Sequence, residues 1–257
     1  MYSLLNVQAY SHITVIEINH PPANALSSKL ADELFHCFQS LCDDTSVHVV
    51  VLRGAGQKFF IAGADIKEFP NWIGSTTLQE SVEKNHRVIN FIENFPKPTI
   101  AFLNGLTLGG GLEVALAFDF RYAEAHSKLG VPEVNLGIFP GAGGTQRLPK
   151  LIGKAKALEM MYLGEPISAD HALKIGLVNN VFNSGEGFEQ VLNIAQEISK
   201  KSTQVFNHIK QAVLQGMETD LETGLQIEQK LFIDIFNHPD AAEGINAFIE
   251  KREPKFN

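Results

Sequence analysis

The chain has 257 residues, 44% hydrophobic and 19% charged, with a formal net charge of −8. That length and composition exclude a disordered chain and provide for a large core in one or two domains. The acidic balance leaves no basic footprint for nucleic acid or an anionic membrane surface, although a local lysine can still serve a small anion because exposed charge is screened beyond about 10 Å.

The N-terminal stretch MYSLLNVQAYSHI has no cationic segment followed by an apolar run. No secretory signal is read there, and a reducing, cytoplasmic setting is expected. HITVIEIN (12–19) alternates as a strand, SKLADELFHCFQSLCDD (28–44) repeats apolar residues at helical spacing, and VHVVVLRG (47–54) is a β-branched run suited to a strand buried on both faces. This is a βαβ beginning. Cys37 and Cys42 lie five apart on the predicted helix, hence on different faces, which argues against a disulfide framework or a metal knuckle. RGAGQKF follows the second strand but carries Phe59 where a dinucleotide fingerprint needs its third glycine.

Residues 77–95 predict a helix stopped by Pro96 and Pro98; PTIAFLNG predicts a buried strand, GGLEVALAFD a helix and FRYAEA (120–125) another strand. The twenty residues 99–118 hold a single charge and have the length of a membrane span. Asn104, Gly105 and the run Gly109 to Gly111 interrupt them, so a buried strand, a loop and a new helix are expected instead. From about residue 143 the strand signal fades. Helices are expected at 154–163, 169–175, 186–200, 203–215, 219–236 and 239–251, with one short strand, LVNNVF, at 177–182. The reading is an α/β core followed by a helical region that needs another surface to pack on.

There is no GxxxxGK[ST] loop, no GxSxG elbow and no HExxH, and the nine histidines show no metal spacing. What stands out is a pair of carboxylates among glycine-rich turns: Glu113 in LGGGLEVALAFD (108–119) and Glu133 in KLGVPEVNLGIFPGAGG (128–144). A carboxylate among apolar residues is costly unless paired or protonated, and burial raises its pKa toward the range useful for proton transfer. The bland alternatives are a Glu113 that merely favours a helix dipole and a Glu133 on a solvated loop. The glycines favour chemistry. A Gly-Gly-Gly turn at a helix start leaves backbone N–H groups free to bind an oxyanion, and Ala64 in FFIAGADIKEF (59–69) offers a second donor. Two such donors polarise a carbonyl, which points to an enolate and suits a thioester.

FIAGADIKEF, NGLTLGGGLEVALAFDFRYA, KLGVPEVNLGIFPGAGGTQRLP, AFIEKREPKF and the early loop NHPPANALS together resemble the enoyl-CoA hydratase, or crotonase, family over nearly the whole chain. The resemblance implies an α/β fold, a spiral of ββα turns spanning residues 1–198 with the coenzyme A and catalytic sites. It implies a helical trimerisation region at 199–257 and a homotrimer or dimer of trimers. It assigns the oxyanion donors to Ala64 and Gly110 and the catalytic glutamates to Glu113, as base toward water, and Glu133, as proton donor to C2. Ala23, Ala25, Leu26, Ala62, Ala64, Asp65, Ile66, Lys67 and Gly110 match positions that hold coenzyme A. Phe248 and Lys251 match positions that reach a neighbouring subunit's coenzyme A. HPPANAL is one residue shorter than the commonest form of its loop. No metal or separate cofactor is implied, coenzyme A being part of the substrate. Hydration of a trans-2-enoyl-CoA in fatty-acid β-oxidation is the expected activity. The alternatives are Δ3,Δ2-enoyl-CoA isomerisation, hydration of a branched methylglutaconyl-type thioester, and RNA binding, against which the acidic balance argues.

Overall fold

The computed structural model describes residues 2–256. An edge strand β1 (Leu5–Tyr10) pairs antiparallel with β2 (Ile13–Ile18). Helix α1 (Ser28–Cys42) then crosses to β3 (Val49–Gly54), which lies parallel to β2. Ser27 caps α1 by accepting from the Leu30 N–H, and Leu30, Leu34, Cys37, Phe38 and Leu41 recur at helical spacing to bury one face. β4 (Phe59–Ala62) is followed by α2 (Thr77–Glu93), β5 (Thr99–Leu103) and β6 (Leu106–Leu108) by α3 (Gly110–Leu116), and β7 (Phe120–Glu124) and β8 (Lys128–Gly130) by α4 (Gly144–Ile152). Helix α5 (Lys154–Leu163), β9 (Ile167–Ser168), α6 (Ala169–Lys174) and β10 (Asn180–Phe182) complete the core.

The two sheets explain the spiral. β1, β2, β3, β5, β7 and β10 form one six-stranded sheet in that order, while β4, β6, β8 and β9 form a second. From β3 to α4 each passage of chain therefore lays one strand in the first sheet, the next in the second, and returns through a helix. Within the sheets every pair is parallel except β1–β2 and β8–β9. The Asn104 side chain ties successive turns together by accepting from the Gly54 N–H and donating to the Gly54 and Gly56 carbonyls.

The expected helices and longer strands are found; the short strands β4, β6, β8 and β9 are additional, and four further differences stand out. β1 was not read because only Leu5 on it is buried, so it lacks an alternating pattern. Helix α4 is not among the expected elements. It starts behind Gly143, at φ +106°, and contains Pro149, both of which look like breakers in sequence. The helix at 110 ends at Leu116 rather than Asp119, where the Ala117 and Phe118 N–H groups bond three residues back. The strand expected at 177–182 shrinks to β10 because the Leu177 N–H closes the end of α6 on the Ala172 carbonyl. Cys37 and Cys42 are both free.

Helix α7 (Gly187–Ser199) packs Val191 and Ala195 on the six-stranded sheet. Beyond it α8 (Thr203–Gly216), α9 (Leu221–Phe236) and α10 (Pro239–Glu250) are far less buried. Lys210 fastens α8 to the core, with Nζ 2.8 Å from Asp119 Oδ2 and donating to the Phe95 and Lys97 carbonyls. Large apolar side chains on α9 and α10 stand in solvent, among them Phe232 at 61%, Phe248 at 85% and Ile249 at 70% exposure. Residues 99–118 are β5, β6 and α3, and among the described residues no helix is long and apolar enough to cross a membrane.

Candidate active site

Two segments far apart in sequence meet as a ledge. The Ala62 N–H donates to the Ala23 carbonyl, the Leu26 N–H to Gly63 and the Asp65 N–H to Leu26. In a parallel bridge of this kind the bonds alternate, so Gly63 and Asp65 are used and the Ala64 N–H is turned away from Leu26. Glu68 secures the end of the ledge by accepting from the Ser28 N–H and from the Ser28 hydroxyl at 2.7 Å, where a helix start favours a carboxylate. The structure thus brings Ala23, Ala25, Leu26, Ala62, Ala64 and Asp65 together. Ile66 and Lys67 continue the ledge into solvent. Phe248 and Lys251 stand apart, on and just after α10, which packs on α9.

Each member of the glycine triplet has its own reason. At Gly111 a Cβ would lie 2.2 Å from the Ile61 carbonyl oxygen, so only glycine lets α3 start against β4. At Gly110, the first residue of α3, a Cβ would sit 3.8 Å from the Ala64 nitrogen. The unbonded N–H groups at the start of α3 therefore open beside that of Ala64. At Gly109, with φ +49°, a Cβ would stand 2.5 Å from Glu133 Oε1. The helix start carries a donor and the adjoining residue makes room for a carboxyl group.

Glu113 lies in the first turn of α3 and is 3% exposed. Its Oε1 accepts from the Ala142 and Gly144 N–H groups, both at 2.7 Å. Burial raises its pKa above the ordinary carboxylate value, opposed by those two bonds and by the positive charge of Arg147. Oε1 is pinned, and Oε2 accepts no hydrogen bond from the described residues.

Glu133 projects from a 3-10 turn at Pro132–Leu136. Its Oε2 is buried with no hydrogen-bond partner among the described residues. An unsatisfied buried carboxylate oxygen is unfavourable, and protonation relieves it. Burial is the main cause that pushes the Glu133 carboxyl from 4.5 up to about 7, and the charge of Glu113 adds to it against the Glu133 backbone N–H. The pair is asymmetric: one carboxylate held by donors beside a cation, one carboxyl whose buried oxygen lacks a donor.

Side chains around the mouth are apolar, with Ile66, Val134, Leu136, Ile138 and Phe139 all exposed. A cavity of about 550 Å³ lies not at the carboxylates but behind them, between α8 and the ends of α3 and α4. Among the described residues no group of three or more His, Cys, Asp or Glu is placed to hold a metal ion. Sequence reasoning missed the two donors to Glu113 and the arginine beside it. Their one signal was the PGAGG run, which was recognised as a turn without a partner.

The family model described as "Enoyl-CoA hydratase/isomerase" matches residues 8–257. A probable enoyl-CoA hydratase from Bacillus subtilis (strain 168) is 43% identical over 245 residues, 95% of each chain. A crotonyl-CoA hydratase from Syntrophomonas wolfei is 39% identical over 256 residues, covering 99% of this chain and 98% of that protein. The crystal structure of an enoyl-CoA hydratase from Bacillus anthracis superposes with a TM-score of 0.93 at 38% identity, covering 99% of both chains.

Proposed function

The chain belongs to the enoyl-CoA hydratase/isomerase family, a family that acts on acyl-CoA thioesters, and from that premise we propose that it hydrates trans-2-enoyl-CoA to 3-hydroxyacyl-CoA in fatty-acid β-oxidation. The observation that carries the reading is the asymmetric pair Glu113 and Glu133 beside the Ala64 and Gly110 N–H groups. The thioester oxygen accepts from those two N–H groups. As water adds at C3, electron density moves onto that oxygen, and donors fixed in advance stabilise the resulting enolate without reorganising. Glu113, pinned through Oε1, presents Oε2 to the water and, as the carboxylate, takes its proton. Glu133, holding its proton near neutral pH, delivers it to C2. Two groups whose surroundings differ in this way divide the base and acid roles between them.

Coenzyme A lies along the ledge of Ala23, Ala25, Leu26, Ala62, Ala64, Asp65, Ile66 and Lys67, chiefly on backbone groups, with the Lys67 ammonium available to phosphate. The mechanism uses no metal or additional cofactor. We further propose that residues 199–257 assemble a homotrimer, or a dimer of trimers, in which Phe248 and Lys251 meet a neighbour's coenzyme A; the exposed apolar faces of α9 and α10 support an oligomer. Two unpaired cysteines accord with a cytoplasmic setting.

The test is the ultraviolet absorbance of the conjugated thioester when purified protein meets crotonyl-CoA, repeated with an eight-carbon and a branched enoyl-CoA. Rapid loss with 3-hydroxyacyl-CoA as product is expected. Stable absorbance with all three substrates, in folded protein that binds acyl-CoA, would overturn hydration.

A further inference from the structure

The N–H groups that hold Glu113 come from a loop with support of its own. Arg147 lies one turn into α4, and its guanidinium fills the space beside Gly143, where a Cβ would fall 2.0 Å from Nη1. Nη1 reaches the Ala142 carbonyl at 3.5 Å, and the Arg147 N–H donates to the Gly143 carbonyl at 2.9 Å. The same side chain therefore underlies the peptide units whose Ala142 and Gly144 N–H groups grip Glu113. From the other side, Glu93 near the end of α2 takes the guanidinium in a fork, Nε to Oε1 at 2.9 Å and Nη2 to Oε2 at 2.5 Å. Asn90 Oδ1 accepts a third bond at 2.7 Å. The Arg147 side chain is 13% exposed, so this fork is worth more than a solvated surface pair.

We propose that Arg147, braced by Glu93 and Asn90, is a positioning residue that fixes the location of Glu113. This rests on Glu113 being the base. The planar fork holds the 142–144 loop at one height against α3, and the loop sets where Glu113 Oε1 sits. The charge acts with the geometry, because Arg147 is the cation whose field reaches Glu113. The other charged groups on neighbouring elements are engaged elsewhere. Lys150 pairs with Glu218 and Lys210 with Asp119, and Arg121 is turned to the Ala115, Phe118 and Leu177 carbonyls. Glu133 faces Glu113 as its like-charged partner.

The experiment measures kcat, KM and the pH dependence of kcat on crotonyl-CoA for Arg147→Ala, Arg147→Lys and Glu93→Gln, with Glu113→Gln as reference. Arg147→Ala is expected to keep KM and lose on the order of 10²-fold in kcat, the scale of an ångström-sized misplacement. Its acid limb moves to higher pH, since removing a cation makes a carboxylate easier to protonate. Added guanidinium below denaturing concentration restores part of the rate, whereas Arg147→Lys, a point charge without the fork, restores less of it. Glu93→Gln shifts kcat in the same direction by a smaller factor and carries the test if Arg147→Ala does not fold. Wild-type kcat with an unmoved acid limb, or a loss that merely follows loss of folded protein, would overturn the proposal. Full turnover by Glu113→Gln would instead overturn the base assignment on which it rests, so the two failures are separable.

Discussion

Glu133→Gln is expected to stabilise the fold while stopping hydration. The Glu133 carboxyl has a pKa of about 7 in the folded chain against an ordinary 4.5. Between those two values the unfolded chain has released its proton and the folded chain has kept it, so wild-type stability falls as pH rises through the window and levels off above it. At about 1.36 kcal/mol for each tenfold change in proton affinity, a rise from 4.5 to about 7 sets a ceiling of about 3 kcal/mol. Solvent reaches part of this side chain and screens it, which brings the expected value to about 1–2 kcal/mol. Glutamine fills almost the same volume and does not titrate. Any fixed difference in its hydrogen bonding is independent of pH, so the informative quantity is the slope. Chemical denaturation at constant protein concentration, from about pH 4 to about pH 8, should show variant and wild type diverging as pH rises and running parallel above neutrality. A difference that stays flat across that range would mean that Glu133 has an ordinary carboxyl group in contact with water, and the acid role would lose its physical basis.

Gly144→Ala should fold, since the residue does not need a left-handed backbone, yet its Cβ would fall 2.9 Å from Glu113 Oε1, 3.1 Å from Glu113 Cγ and 2.9 Å from Pro140 Cβ. We expect kcat to fall by about 10- to 100-fold with KM nearly kept; steady-state kinetics at wild-type values would show that the location of Glu113 is not critical. Lys210→Ala leaves Asp119, still bonded to Thr99, without its cation and two carbonyls without this donor, so denaturation at fixed protein concentration should show a loss of about 2–4 kcal/mol. A loss below about 0.5 kcal/mol, the scale of an ordinary surface change, would mean that α8 is not held by this contact.

Much of this arrangement was legible in the chain. Strongly periodic segments such as 28–44 and β-branched runs such as 47–54 declared themselves because burial on one face or two leaves a period in the sequence. The two carboxylates stood out because charge is rare among buried residues, and both lie where glycine turns place them. The short strands β6, β8 and β9 left no period to read, being two or three residues long. The alternation of strands between two sheets is a non-local pairing, and here it came from resemblance, not periodicity. Helix α4 was hidden by the residues that make it useful. Gly143 provides the left-handed entry and lets Arg147 lie close, while Gly144 provides a donor without a Cβ to displace Glu113. Arg147 carries no local signal, because its partners are Glu93 and Asn90, more than fifty positions away.

The central claim is that hydration needs both carboxylates in different states. The most direct test is kcat for crotonyl-CoA hydration by Glu113→Gln and Glu133→Gln, set beside the Kd of each for the unreactive saturated thioester butyryl-CoA. The account predicts a fall of about 10²- to 10⁴-fold in kcat for each variant, with Kd within a few-fold of wild type, because both groups act on protons in the transition state and neither holds the coenzyme. Near-normal turnover by either variant, in protein that binds butyryl-CoA as tightly as wild type, would contradict it.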